Sequence, residues 1–311
     1  MGIKIKKTSS YLPEKVVDNF YFEKILDTSD EWISSRTGIK ERHFVEDEGI
    51  FDLVQESIKR LNLSEEEKES IKTIIVATCT SSYEIPNLAS QIQKSFGLAE
   101  DVYSLDINMA CSGFVAGLKL IDGIIEDGEN ALLVGVELFS DIIDFKDRNT
   151  AILFGDGAGA VLLEKAEEKS YFSSGTRGNE KALNYGGEPS KLHMEGREVY
   201  KFAVSTMERE TKEFLKKIGK KKEDIDYFVA HQANIRILES LGKSLGVPMH
   251  KIPSNIEEVG NTSSASIPLL LDSMNRKGSL KKGDRIVFLA FGAGLTWSLA
   301  YIKWGGQDEI R

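Results

Sequence analysis

The sequence predicts an α/β protein built from two similar halves, residues 1–165 and 166–311, and three observations carry that expectation. Short apolar runs alternate with stretches whose apolar residues recur at helical spacing, the pattern of buried sheets covered by helices. At 311 residues with 41% hydrophobic content, the chain exceeds the size at which one core usually keeps growing. It also repeats itself: CSGFVAGLKLIDGIIEDG from Cys111 and NTSSASIPLLLDSMNRKG from Asn261 align so that Cys111 faces Asn261, Asp122 faces Asp272 and Gly128 faces Gly278, each at a separation of 150.

In chain order, the first expected strand is IIVAT, which runs through the polar turn CTSS towards a helix over 87–96. VYSLDI is a second strand, and INMACSGF behind it leads into a helix over 112–126. ALLVGV and AVLLE are buried strands. Before AVLLE stands FGDGAG, close to the GxGxxA of dinucleotide sites, but it enters a strand instead of opening a helix and so lacks the dipole a pyrophosphate needs. A tight turn explains it better. In the second half a helix over 199–218 ends in KKIGKKKED, a solvated basic terminus that complements the helix dipole. DYFVAHQAN then matches TIIVATCTSS as a strand entering a polar turn, with His231 opposite Thr78; helices over 234–245 and 264–276 and strands IVFLAF and SLAYIKW complete the chain.

Composition removes several function classes. A net charge of −9 argues against a nucleic-acid partner, whose binding leans on phosphate neutralisation, and an acidic partner needs a local basic patch. The two cysteines, Cys79 and Cys111, lack the spacing of a metal or redox site, and Cys79 reads as core packing. No apolar run reaches the roughly 18 residues of a membrane span, and the first residues lack the apolar centre of a signal peptide. A cytoplasmic protein with no membrane partner is expected.

Cys111 stands between a strand and a helix. There the unpaired backbone N–H groups of the helix start favour a thiolate, and such positions bring a thiol from near 8.5 to roughly 3.5–7.5. Ala110, Ser112 and Gly113 leave room for a carbonyl to approach. Taken alone, the same cysteine fits a packed strand–helix corner equally well. His231, at the matching strand end of the other half, moves the reading towards chemistry. Asn261 is either a second polar group facing the thiolate or a helix N-cap.

Several segments together carry a resemblance: DTSDEWISSRTGIKERH, ACSGF, Asp147-Arg148, FGDGAGAV, HQANIRI, GNTSSASIP and GAGLTW. In this order they resemble the β-ketoacyl-acyl carrier protein synthase III family, over nearly the whole chain. The resemblance implies a thiolase-like five-layered αβαβα sandwich of two duplicated halves, usually a homodimer, with Cys111, His231 and Asn261 as catalytic triad. It implies decarboxylating condensation of a short acyl-CoA with malonyl-acyl carrier protein through an acyl-Cys111 intermediate, with no resident cofactor or metal. The backbone N–H groups of Cys111 and Ala293 would hold the oxyanion. Thiolases carry a second cysteine near the C-terminal glycine turn, and elongating synthases a second histidine where Asn261 stands; neither fits. A synthase or acyltransferase of specialised metabolism, using a longer or aromatic primer, is the alternative.

By the same resemblance Trp32, Arg36, Arg148 and Asn234 bind coenzyme A and its pantetheine arm. Ile85 and Gly196 border the acyl pocket, and Lys201, Arg236 and Lys243 meet the carrier protein. The chain departs from the family in having GAG where three glycines are usual. If φ at Ala293 is positive, that alanine is strained.

Overall fold

The computed structural model describes residues 1–83, 85–186 and 191–306. The chain begins with β1 (Gly2–Tyr11), β2 (Lys15–Asp18), α1 (Asn19–Glu23), α2 (Asp30–Thr37) and β3 (Glu41–Phe44), β2 and β3 being paired antiparallel. Next come α3 (Ile50–Lys59), α4 (Glu65–Ser70), β4 (Ile71–Ala77), α5 (Leu88–Ser95), β5 (Tyr103–Ile107), α6 (Gly113–Ile124) and β6 (Asn130–Glu137). They are followed by α7 (Arg148–Ala151), β7 (Gly157–Ala166), β8 (Tyr171–Thr176), β9 (Leu183–Asn184), β10 (His193–Met194) and α8 (Gly196–Lys217). The last elements are β11 (Tyr227–Ala230), α9 (Ile235–Leu245), α10 (Ile256–Val259), α11 (Ser266–Arg276), β12 (Arg285–Gly292) and β13 (Thr296–Lys303). The expected helices are α5, α6, α8, α9 and α11, all within three residues of their expected ends.

Two sheets of matching design form the frame, ordered β1-β7-β6-β4-β5 and β8-β13-β12-β11. In the first, β4 and β6 are parallel while β6, β7 and β1 alternate; in the second, β11 and β12 are parallel while β12, β13 and β8 alternate. α6 packs on β4 and β6 of one sheet and on β12 and β13 of the other, and α11 likewise touches β1, β7 and β11. α3 and α5 cover the outer face of the first sheet and α8 that of the second, with α9 packed against α8. This is the five-layered αβαβα sandwich. The central layer is apolar on two sides, because each of its helices has a sheet on either face: Phe114, Leu118, Ile121, Ile267 and Leu271 are all buried there.

The last two glycines of FGDGAGAV, Gly157 and Gly159, face α11. A Cβ on Gly159 would lie 2.9 Å from the Leu269 backbone nitrogen, so the first sheet and α11 approach closely only without a side chain there.

The repeat has a register different from the one its sequence suggests. β4 and β11 end at Ala77 and Ala230, so Thr78 and His231 are equivalent at a separation of 153. At that same separation single helical turns, Ala110–Ser112 and Ser263–Ala265, precede α6 and α11, and their first residues share a left-handed φ of 46° and 48°. The structural counterpart of Cys111 is therefore Ser264 and not Asn261. Gly128 and Gly278, both at positive φ, still match at 150, because α11 is shorter than α6 and the second half also uses fewer residues between the helix end and that turn.

Candidate active site

Cys111, His231 and Asn261 meet at the carboxyl ends of the paired parallel strands. Cys111 occupies the middle of the turn before α6 and is only 6% exposed. Ala110 holds the left-handed conformation that turns the chain there, a strained state for a residue with a Cβ and one that clusters at functional sites. The end of β12 packs on this turn, and Thr296 donates to Ser112 Oγ at 3.1 Å.

His231 directly follows β11, its backbone N–H donating to Leu289 O at 2.8 Å. Its Nδ1 lies 2.7 Å from Ser266 Oγ, and its ring stands edge-on to Phe291 with centroids 5.2 Å apart. Asn261 is fixed through its backbone by a parallel bridge to Phe154, with N–H to Leu153 O at 2.8 Å and O accepting from Gly155 N–H at 3.1 Å. Asn261 Oδ1 accepts from Ser263 N–H at 2.9 Å. That bond identifies the oxygen of the amide, so Nδ2 is its donor end.

All three side chains line a cavity of about 150 Å³, together with Asn234, Gly196 and Phe291. A second cavity of about 310 Å³, bordered largely by apolar residues such as Phe139, Ile142 and Leu192, also reaches Cys111 and Ala293. Cys111 thus stands, with Phe154 and Leu183, in the wall common to both.

The electrostatics overturn one expectation. Burial pushes the Cys111 thiol up to about 12; the Ser263 hydroxyl opposes this and the Glu137 charge adds to it. The turn's N–H groups do not compensate for the loss of water around the sulfur, so the resting group is a thiol. Burial likewise pushes His231 down to about 3, which makes the resting ring neutral. The Ala293 concern also resolves: among the described residues only Asn62, Ala110 and Ser263 have positive φ without being glycine, and the unusual angle of the turn, φ 128°, falls on Gly294.

Comparison with known proteins decides the relationship. The family described as 3-oxoacyl-[acyl-carrier-protein] synthase III matches residues 105–178, and its C-terminal counterpart matches 215–304. The β-ketoacyl-[acyl-carrier-protein] synthase III of Clostridium acetobutylicum is 44% identical, the match covering 97% of this chain and 99% of that one. The chain belongs to the β-ketoacyl-acyl carrier protein synthase III family. Solved synthase III structures agree: the Aquifex aeolicus protein superposes with a TM-score of 0.90 at 40% identity, covering 97% of this chain and all of that one. The Thermus thermophilus protein gives 0.92 at 40% identity, covering 97% and 99%.

The remaining residues that the synthase III resemblance singled out divide into three groups. Trp32, Arg36 and Arg148 come together at the surface: the Arg148 and Arg36 guanidinium groups lie 4.9 and 5.5 Å from the Trp32 ring centre, and Arg148 donates to Asp27 O at 2.7 Å. Asn234 caps α9 and donates to Arg36 O at 3.0 Å, which links this cluster to the 150 Å³ cavity. Lys201, Arg236 and Lys243 are exposed on the adjoining α8 and α9, and Arg236 Nε donates to Ser35 O at 3.1 Å. Two do not reach the larger cavity. Gly196 lines the smaller one beside His231, because it opens α8 on that side, and Ile85 is 90% exposed, away from both cavities of its own chain.

The structure adds residues that sequence reasoning passed over. Cys79, read as packing, lines the larger cavity. Beneath it the fully buried Glu137 accepts from Thr80 Oγ1 at 2.7 Å, Ser264 Oγ at 2.8 Å and Cys79 N–H at 3.1 Å, joining the end of β4 to the turn before α11. No sequence signal marked this carboxylate, which sits at the end of the apolar run ALLVGV. Among the described residues no group of side chains is arranged for a metal ion, and no helix is long and apolar enough to cross a membrane.

Proposed function

We propose that the protein condenses a short acyl-CoA with malonyl-acyl carrier protein, releasing carbon dioxide and 3-ketoacyl-acyl carrier protein and so starting fatty acid synthesis. One observation carries this reading: a buried cysteine, a neutral histidine and an oriented asparagine amide line a single cavity.

In the first half-reaction the Cys111 sulfur attacks the thioester carbonyl, the backbone N–H groups of Cys111 and Ala293 hold the oxyanion, and the thiol proton leaves with the coenzyme A sulfur. In the second, the malonyl thioester oxygen accepts hydrogen bonds from His231 and Asn261 while the carbon–carboxylate bond breaks. The enolate carbon then attacks the acyl-Cys111 carbonyl. The sulfur is expelled and takes up one proton. A neutral imidazole suits this role, since it donates without adding a charge that would bind the carboxylate in its ground state.

The Trp32, Arg36 and Arg148 cluster suits the nucleotide end of coenzyme A, Asn234 and Gly196 the pantetheine arm, and the larger cavity the acyl chain. Basic Lys201, Arg236 and Lys243 complement an acidic carrier protein. β5 leaves an open sheet edge, and Ile85 is almost fully exposed; both suit a homodimer in which Ile85 borders the partner's acyl pocket. The proposed chemistry calls for no resident cofactor, and its substrates suit an enzyme of the cytoplasm. The names of the relatives support the initiating role over a specialised-metabolism enzyme with a longer or aromatic primer.

Radiolabelled acetyl-CoA tests the reading. Label attaches to the wild type and not to Cys111→Ala, and carbon dioxide is released from malonyl-carrier protein; equal labelling of both proteins would sink the assignment.

A further inference from the structure

We propose that Ser266 fixes the single ring proton of His231 on Nε2, which makes this buried hydroxyl the positioning residue for the imidazole's hydrogen bond to the malonyl thioester. The proposal rests on the reading of His231 as a donor given above.

Ser266 opens α11 and is fully buried. Its Oγ lies 2.7 Å from His231 Nδ1 and 3.4 Å from the backbone N–H of Gln232. The Gln232 group can only donate, so it occupies a lone pair of Oγ and leaves the hydroxyl hydrogen for Nδ1. A neutral imidazole has one donor and one acceptor nitrogen. With Nδ1 accepting, the proton belongs to Nε2, the nitrogen left for the cavity that His231 lines.

The reverse arrangement fails on its own terms. Were Nδ1 the donor, the Ser266 hydrogen would need another acceptor, and among the described residues Oγ has no hydrogen-bond partner beyond His231 and Gln232. A buried hydroxyl hydrogen would be left unpaired. The fold does not require a hydroxyl at this point either: at the separation of 153 that relates the halves, Ser266 corresponds to Gly113, which also opens its helix. The serine belongs to the half that carries the histidine.

The same turn orients both donors. Ser263 N–H selects the Nδ2 face of Asn261, and Ser266 selects the Nε2 face of His231, so two serines three residues apart aim a carboxamide and an imidazole into one cavity.

The test uses nitrogen NMR of the full-length protein labelled at histidine, the His231 signals being assigned by their loss in His231→Asn. In the wild type Nδ1 should appear as the unprotonated nitrogen and Nε2 as the protonated one. In Ser266→Ala the two signals should move towards each other, and carbon dioxide release should fall by about tenfold to a few hundredfold, less than outright loss of a donor. That fall should exceed any loss of Cys111 acylation by at least about tenfold, acylation serving as the control for folding. Ser266→Thr should restore both spectrum and rate. A wild-type spectrum with Nδ1 protonated overturns the proposal even if the alanine variant cannot be made. Unchanged signals in Ser266→Ala would overturn it too. A shifted tautomer with undiminished carbon dioxide release would instead uphold the proton assignment and overturn the donor role of His231.

Discussion

Gly292 stands where any side chain would collide with the backbone of Cys111: a Cβ there would lie 2.8 Å from the Cys111 nitrogen and 3.1 Å from its Cβ. The obstacle is backbone, which cannot swing aside as a flexible side chain can. Gly292→Ala should therefore fold, yet displace the end of β12 from the turn that presents the sulfur and the N–H of Cys111. Acylation should fall by about a hundredfold or more, the scale of losing an oxyanion donor. The mass added by acyl-CoA over time checks this, and a wild-type rate would show that the contact does not matter.

The buried thiol sets a pH dependence. A thiol raised to about 12 has little thiolate at neutral pH, so iodoacetamide modification of Cys111 in the free enzyme should still be climbing at pH 10. A plateau below pH 8 would contradict the burial argument. In Glu137→Gln a negative charge that raises the thiol is gone, and the profile should move to lower pH.

Glu137 also bears on stability. Glu137→Ala leaves the Thr80 hydroxyl and the Cys79 N–H without their shared acceptor inside the protein, while Ser264 Oγ keeps Ala77 O at 2.7 Å. A loss of about 3 kcal/mol or more is expected, as for other broken buried networks, and urea unfolding measures it. A change below about 1 kcal/mol would mean that water replaces the carboxylate.

His231 governs acid sensitivity. Its folded pKa, about 3, lies below the unfolded value near 6.5, so between these values the unfolded chain binds the extra proton. The contribution of this residue is present above about pH 6.5 and is lost as pH falls towards 3. Asp156, raised to about 6 by burial, acts with the opposite sign, and it is unchanged in a His231→Asn variant. Comparing urea midpoints of the two proteins at pH 7 and 4.5 isolates the histidine: the variant should lose less stability on acidification.

What the sequence revealed follows from where each residue finds its partners. Strands buried on both faces, such as β11, wrote themselves as unbroken apolar runs, and YFVA has the observed ends. β1 did not, because GIKIKKTSSY meets its needs elsewhere in the chain: Lys4 pairs with Glu164, Lys7 with Glu67, and Ser10 and Thr8 with Asp272. The junctions holding Cys111 and His231 were legible from local strand-to-helix punctuation. Glu137 and Ser266 were not, since the partners of Glu137 lie 57 to 127 residues away and the ring that Ser266 meets lies 35 away. The expected thiolate failed for a related reason. A helix start is visible in a sequence, whereas the exclusion of water around a sulfur is a property of the whole packed molecule.

The common wall between the two cavities has a kinetic consequence. If one narrow passage serves both thioester arms, they must use it in turn, and the enzyme remembers its first visitor only as a modified side chain. Double-displacement behaviour follows: reciprocal rate plots at several fixed levels of the second substrate should be parallel, and spent coenzyme A should obstruct the arriving carrier by occupying the doorway it has just used.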